Sequence, residues 1–205
     1  VSVCAWRERA GRMLARLHPV EADVVCGVPD SGLDAALGYS MESGIPYSTA
    51  FVKSKYVGRT FIAPDQSMRQ QAVHLKLNVN KYHVQGKRVV LIDDSIVRGT
   101  TSVPIIKMLR DAGAREVHMR VSAPPFRYPC FFGTDIPDSE HLVAYRSSVE
   151  EIAERLGVDS LGYLTVDSLR EITGADDCCD GCFTGRYAIP RPEPEPVDFS
   201  MRPIE

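Results

Sequence analysis

Over residues 1–18, Trp6, Ala10, Met13, Leu14 and Leu17 recur at spacings of three and four, with Arg and Glu between them. That periodicity predicts a helix. "ADVVCGVP" (22–29) predicts a short buried strand. "DSGLDAALGYSMESG" (30–44) predicts a helix capped by Asp30 or Ser31, with Gly44 beyond its end. "PYSTAFV" (46–52) predicts a second strand, and the polar stretch "KSKYVGRTFIAPDQSMRQ" (53–70) a loop running into a helix over about 67–80. "RVVLID" (88–93) predicts a strand. "TTSVPIIKMLRDAG" (100–113) predicts a helix, with Pro104 in the first turn where its missing N–H is not needed. "EVHMRVS" (116–122) predicts a strand, "VEEIAERLG" (149–157) a helix, and "LGYLTV" (161–166) a last short strand.

The predicted strands are apolar runs without clean alternation, as expected where both faces of a sheet are covered. Their order predicts an α/β fold, an open and mainly parallel sheet with helices on both faces and ligands at the carboxyl ends of the strands. Residues 1–172 would form this domain. Residues 173–190 are polar, Gly-rich and Cys-rich, and the Pro/Glu-rich 191–205 would be an extended or disordered tail.

Composition narrows the classes. A formal net charge of −3 argues against a nucleic-acid binder working by bulk electrostatics. No 18-residue apolar run is present, so no membrane span is expected. The N-terminus has no signal-peptide layout and no initiator methionine. The expectation is a soluble cytoplasmic protein, and the chain reads as a fragment or an excised domain. Cys178, Cys179 and Cys182 crowd together, which suits a metal better than disulfides. Cys26, in an apolar run, reads as a small buried side chain.

The most informative stretch is "KRVVLIDDSIVRGTTS" (87–102). Asp93 and Asp94 close a central strand, where two adjacent charges are costly to bury without partners. Adjacent carboxylates can accept hydrogen bonds from vicinal hydroxyls and can help hold Mg²⁺. Capping of a turn by Asp94 or Ser95 is the plainer alternative. Behind the pair, backbone N–H groups, the hydroxyls of Ser95, Thr100, Thr101 and Ser102, and a helix N-terminus make a phosphate cradle. Gly99 would let the backbone approach the phosphate. Neither G-x-x-x-x-G-K-[ST] nor G-x-G-x-x-G is present.

"VVLIDDSIVRGTT" resembles the ribose-phosphate signature of the type I phosphoribosyltransferases. Four further blocks, "EADVVCGVPDSG", "GIPYSTAFVKSKYVGRTFIAPDQSMRQQAVHLKLN", "SAPPFRYPCFFGTDIP" and "CDGCFTGRY", resemble the glutamine phosphoribosylpyrophosphate amidotransferase family within them. The likeness runs to about residue 188 and implies a type I phosphoribosyltransferase fold. By that resemblance Asp93 and Asp94 would bind the ribose 2- and 3-hydroxyls of phosphoribosylpyrophosphate and hold Mg²⁺. Ser95, Val97, Arg98, Gly99, Thr100, Thr101 and Ser102 would hold the 5-phosphate. Asp30, Ser31 and Gly32 match the loop that meets the pyrophosphate. Lys53, Tyr56 and Arg59 match a loop that closes over the substrate, and Lys76 a further basic residue. A polyanionic leaving group needs such cationic and backbone donors, and closure would exclude water. Lys55 and Lys81 read as surface charge.

The implied reaction is displacement of pyrophosphate from ribose C1 by ammonia, giving 5-phosphoribosylamine, the first step of purine synthesis. "CDGC" (179–182) taken alone is a half-site for zinc, iron–sulfur or redox chemistry. The resemblance implies a structural [4Fe–4S] cluster on Cys130, Cys179 and Cys182, with a fourth cysteine upstream of this chain; Cys4 is not that ligand. It also implies a glutaminase domain, absent from this chain, as the ammonia source, together with inhibition by purine nucleotides and a homo-oligomer. Two alternatives stand beside this reading: a type I phosphoribosyltransferase acting on a purine base, and a non-catalytic sugar-phosphate-binding regulator.

Overall fold

The computed structural model describes residues 2–54, 77–133, 138–175 and 178–190. Its centre is a parallel sheet of β1 (Val24–Gly27), β4 (Arg88–Asp93), β5 (Glu116–Val121) and β6 (Ser160–Tyr163), in the order β1-β4-β5-β6. Tyr47 adds a single parallel bridge to Val25. β2 (Phe51–Lys53) and β3 (Leu77–Val79) pair antiparallel as a separate ribbon.

Successive strand residues point to opposite sides, and both sides are apolar, so each strand looks like one unbroken run. Val24, Cys26, Val89, Leu91, Val117 and Met119 share one core with Ile105 and Leu109 of α4 (Ser102–Asp111) and Ile152 and Leu156 of α5 (Val149–Leu156). Val25, Val90 and Ile92 share the other with Leu14 of α1 (Val3–Leu17), Ala35 and Tyr39 of α2 (Leu33–Ser43) and Ile172 of α6 (Val166–Thr173). The open, mainly parallel sheet with helices on both faces is the architecture expected from the sequence.

The second face also buries charge. Arg120, 3% exposed, donates through Nε to the carbonyl of His18 (3.0 Å) and through Nη1 to Ser160 Oγ (3.0 Å). Ser160 Oγ lies 3.0 Å from His118 Nδ1, and His118 Nε2 lies 3.1 Å from Glu116 Oε2. Because Arg120 can only donate, the Ser160 hydroxyl proton is free to go to His118 Nδ1. That assigns the Nε2–H tautomer to His118 and points its proton at Glu116.

Four sequence expectations need correction. The strand predicted over 46–52 forms only at Phe51–Lys53, with Tyr47 contributing an isolated bridge to Val25. The strand predicted over 161–166 stops at Tyr163, and α6 begins at Val166. Thr165 starts that helix by accepting the N–H of Ser168 (3.1 Å), which a β-branched "TV" pair conceals in an apolar run. The helix predicted to about residue 80 is a strand at Leu77–Val79, because Phe51 and Val79 pair across the ribbon; residues 67–76 lie outside the described residues. α2 is capped by Gly32, without a side-chain hydrogen bond, and not by Asp30 or Ser31. Asp30 is instead engaged with Lys53. Gly44 does follow the end of α2. Among the described residues, no helix is long and apolar enough to cross a membrane.

Candidate active site

β4 delivers Asp93 to the carboxyl edge of the sheet, 7% exposed, while Asp94 is exposed beside it. Asp93 Oδ1 accepts the N–H of Asp94 (2.9 Å). Burial first, and then the neighbouring Asp94 charge, hold the Asp93 carboxyl well above the usual carboxylate range. Two adjacent oxygen-donor carboxylates, one of them disfavoured as an anion, suit a hard divalent cation or a pair of hydroxyl donors. The base of the site is braced by Ser122, whose N–H (2.9 Å) and Oγ (3.3 Å) both donate to the Asp93 carbonyl. Sequence reading missed Ser122, although it closes the strand next to the aspartate strand.

The loop behind the pair leaves its backbone open. Among the described residues, no amide from Ser95 through Ser102 donates a hydrogen bond within the protein. The first internal bond is Val103 N–H to the Gly99 carbonyl (3.2 Å). Helix α4 starts here, and its cap Thr101 supplies no side-chain bond, so its own N-cap leaves the positive end of the helix uncapped among the described residues. Gly99 has φ 74°, a left-handed conformation that curls the loop and favours glycine. The Val97 carbonyl accepts the N–H of Val143 (2.9 Å), which fixes the segment Leu142–Ala144 beside the loop. That wall, too, was invisible in the sequence because it comes from distant residues.

A second loop, between β1 and α2, lies alongside. Val28 N–H donates to the Ile92 carbonyl (2.8 Å), one residue before the aspartates, and Gly32 N–H donates to the Val28 carbonyl (3.0 Å). The Pro29–Asp30 peptide is cis. Among the described residues, the amides of Asp30 and Ser31 have no partner. Lys53, at the end of β2, forms an ion pair with Asp30. The fold thus brings Asp30, Ser31, Gly32 and Lys53 to the same edge of the sheet as Asp93, Asp94 and the 95–102 loop. Tyr56, Arg59 and Lys76 lie outside the described residues.

The C-terminal cysteines lie elsewhere in the fold. α7 (Gly181–Thr184) carries Cys182, whose carbonyl accepts the amides of Arg127 and Tyr128 (both 3.0 Å), tying it to the segment that leads to Cys130. Tyr187 Oη donates to the Pro129 carbonyl (2.7 Å), and Phe126 packs edge-on against Phe183. The Cys182 thiol is pushed up to about 11, by burial first and then by Cys130, Cys179 and Asp180 nearby. Thiols are the donor kind that iron–sulfur chemistry uses. Among the described residues, however, no three His, Cys, Asp or Glu side chains group as a metal-ion site.

No family model matches the sequence. The chain is 51% identical over 194 residues to an amidophosphoribosyltransferase of Synechocystis, covering 94% of this chain and 39% of that protein. It is 50% identical over 193 residues to the amidophosphoribosyltransferase of Bacillus subtilis, covering 91% and 40%. A solved structure described as the allosteric regulatory enzyme of purine biosynthesis superposes with a TM-score of 0.84 at 48% identity, over 95% of this chain and 43% of that one. Glutamine phosphoribosylpyrophosphate amidotransferase from Bacillus subtilis, complexed with ADP and GMP, superposes with a TM-score of 0.80 at 50% identity, over 90% and 42%. The chain spans about two fifths of the length of these relatives.

Proposed function

We propose that this chain, a phosphoribosyltransferase domain homologous to part of the amidophosphoribosyltransferases, binds phosphoribosylpyrophosphate and transfers its phosphoribosyl group to ammonia. One observation carries the reading: amides from Ser95 through Ser102 that are unpartnered among the described residues stand directly behind two adjacent carboxylates at the end of β4. Asp93 and Asp94 would accept hydrogen bonds from the ribose 2- and 3-hydroxyls. The amides of residues 95–102 and the N-terminus of α4 would hold the 5-phosphate. The amides of Asp30 and Ser31, with Lys53, would meet the pyrophosphate, and Tyr56, Arg59 and Lys76 would complete that side.

The protein's share of the reaction is orientation and charge. Ammonia attacks ribose C1, the C1–O bond to pyrophosphate breaks, and the departing oxygens gain charge beside Lys53 and the loop amides. Mg²⁺ on Asp93 and Asp94 would neutralise part of that charge. No protein nucleophile is required. Glutamine-derived ammonia would come from a glutaminase domain outside this chain. Purine nucleotides share the ribose-phosphate group, so the same cradle would admit them as inhibitors; the Bacillus subtilis relative was solved with ADP and GMP.

A [4Fe–4S] cluster would be held by Cys130, Cys179 and Cys182, with a further cysteine from outside the chain. Iron and acid-labile sulfide on the anaerobically prepared full-length protein test this; absence of both removes the cluster.

Pyrophosphate release by this chain, supplied in turn with ammonia and with glutamine, tests the main reading. Release with ammonia alone is expected. Turnover with glutamine by this chain would refute the division of labour. Substrate binding without release under any condition would make the chain a regulator.

A further inference from the structure

We infer that Asp30 serves as a built-in stand-in for the substrate's leaving group, holding Lys53 in place until a sufficiently charged anion displaces it. This rests on the reading of the 28–32 loop as the pyrophosphate seat. The Lys53 side chain is 31% exposed and that of Asp30 72% exposed, so the lysine is the seated partner and the carboxylate approaches from the solvent side. Among the described residues neither side chain has another hydrogen bond, so each engages the other alone. The neighbouring amides of Asp30 and Ser31 stay unpartnered, as donors waiting for an anion.

The pairing has two effects. It keeps a long, flexible ammonium ordered at the mouth of the site, so less conformational freedom is lost when substrate arrives. It also sets a threshold, because an incoming anion must compete with the Asp30 carboxylate for Lys53. A singly or doubly charged ion competes poorly, whereas a pyrophosphoryl group brings more charge and reaches the loop amides as well. Asp30 is therefore a positioning residue that acts through Lys53 and sharpens discrimination between pyrophosphate and phosphate.

The test is calorimetric binding of metal-free inorganic pyrophosphate, and separately of inorganic phosphate, to the unmodified chain, Asp30→Asn, Lys53→Gln and the double variant. Removing the competing charge should tighten pyrophosphate binding about two- to fivefold, the range of a solvent-accessible ion pair. Phosphate should gain at least as much, so discrimination narrows. The gain should vanish in the Lys53→Gln background and shrink at high salt. Unchanged or weaker binding by Asp30→Asn overturns the inference, as does a gain that persists without Lys53; the seat itself then still stands. If the unmodified chain binds no pyrophosphate, both the seat and this inference fall.

Discussion

Gly32 faces the carbonyl oxygen of Ile92 so closely that a Cβ on it would sit 2.5 Å away, with the Val28 carbonyl at 2.9 Å. Both obstacles are backbone, and the Ile92 carbonyl is already bonded to Val28 N–H. This contact lets the 28–32 loop lie against the strand that carries the aspartates. Gly32→Ala should therefore force the two loops apart. Overpacking of this kind costs about 1–3 kcal/mol, or about 2–4 °C of melting midpoint per kcal/mol in a chain of this size. Thermal melts and pyrophosphate titration should show both a lower midpoint and weaker binding. An unaltered pair of values would mean that the loops tolerate separation.

Under the proposed function, Asp93 would serve its ligand at the expense of the empty protein. Burial and Asp94 disfavour its anion. Asp93→Asn keeps the shape and removes that conflict, so the melting midpoint should hold or rise. Phosphoribosylpyrophosphate affinity should fall by about 10- to 100-fold, the usual loss for a hydrogen bond to a charged group. Melting and calorimetry on the same sample separate the two effects.

His118 gives stability a pH dependence. Burial, opposed by Glu116 and reinforced by the Arg120 charge, lowers its pKa from the ordinary 6.5. The unfolded chain then takes up a proton near pH 6.5 that the folded chain resists. Stability should be full above that value, decline as pH falls through it, and level off below the lowered folded value. Asp159 also faces this group and favours its charged form, as Glu116 does. Melting midpoints from about pH 7.5 to about pH 5.5 should fall less steeply in His118→Gln than in the parent. Equal slopes would assign the dependence elsewhere.

Thiol reactivity should divide the cysteines. Cys26 is fully buried with its thiol pushed up to about 12, so it should resist alkylation until the chain unfolds. Cys182, pushed up to about 11 and partly buried, should react slowly. Cys4, Cys178 and Cys179 are exposed and should label first. Mass spectrometry of timed labelling reads the order directly.

The parts legible in the sequence were those whose signal is local. Arg88–Asp93 and Glu116–Val121 form strands where their apolar runs predicted, because both faces of the sheet demand apolar residues. Asp93, Asp94 and Gly99 stood out because two charges and a glycine at the end of such a run need a reason. What stayed hidden depends on residues far apart in the chain. Ser122 braces the Asp93 carbonyl from the next strand, and Val143 clamps Val97 from a separate segment. The pairing of Leu77–Val79 with Phe51–Lys53 overrides a helical-looking local pattern. Capping by Thr165 was missed because a threonine after an apolar strand looks like its continuation.

The open amides of residues 95–102 have a consequence for how such a site can vary and how it can be found. Under the proposed reading, recognition there would be written in the main chain, so exchanging one loop side chain for another would leave the donors in place as long as the curve is kept. Alanine scanning would pass over this part of the site. Replacing single peptide links with esters, which deletes one N–H at a time, would expose it.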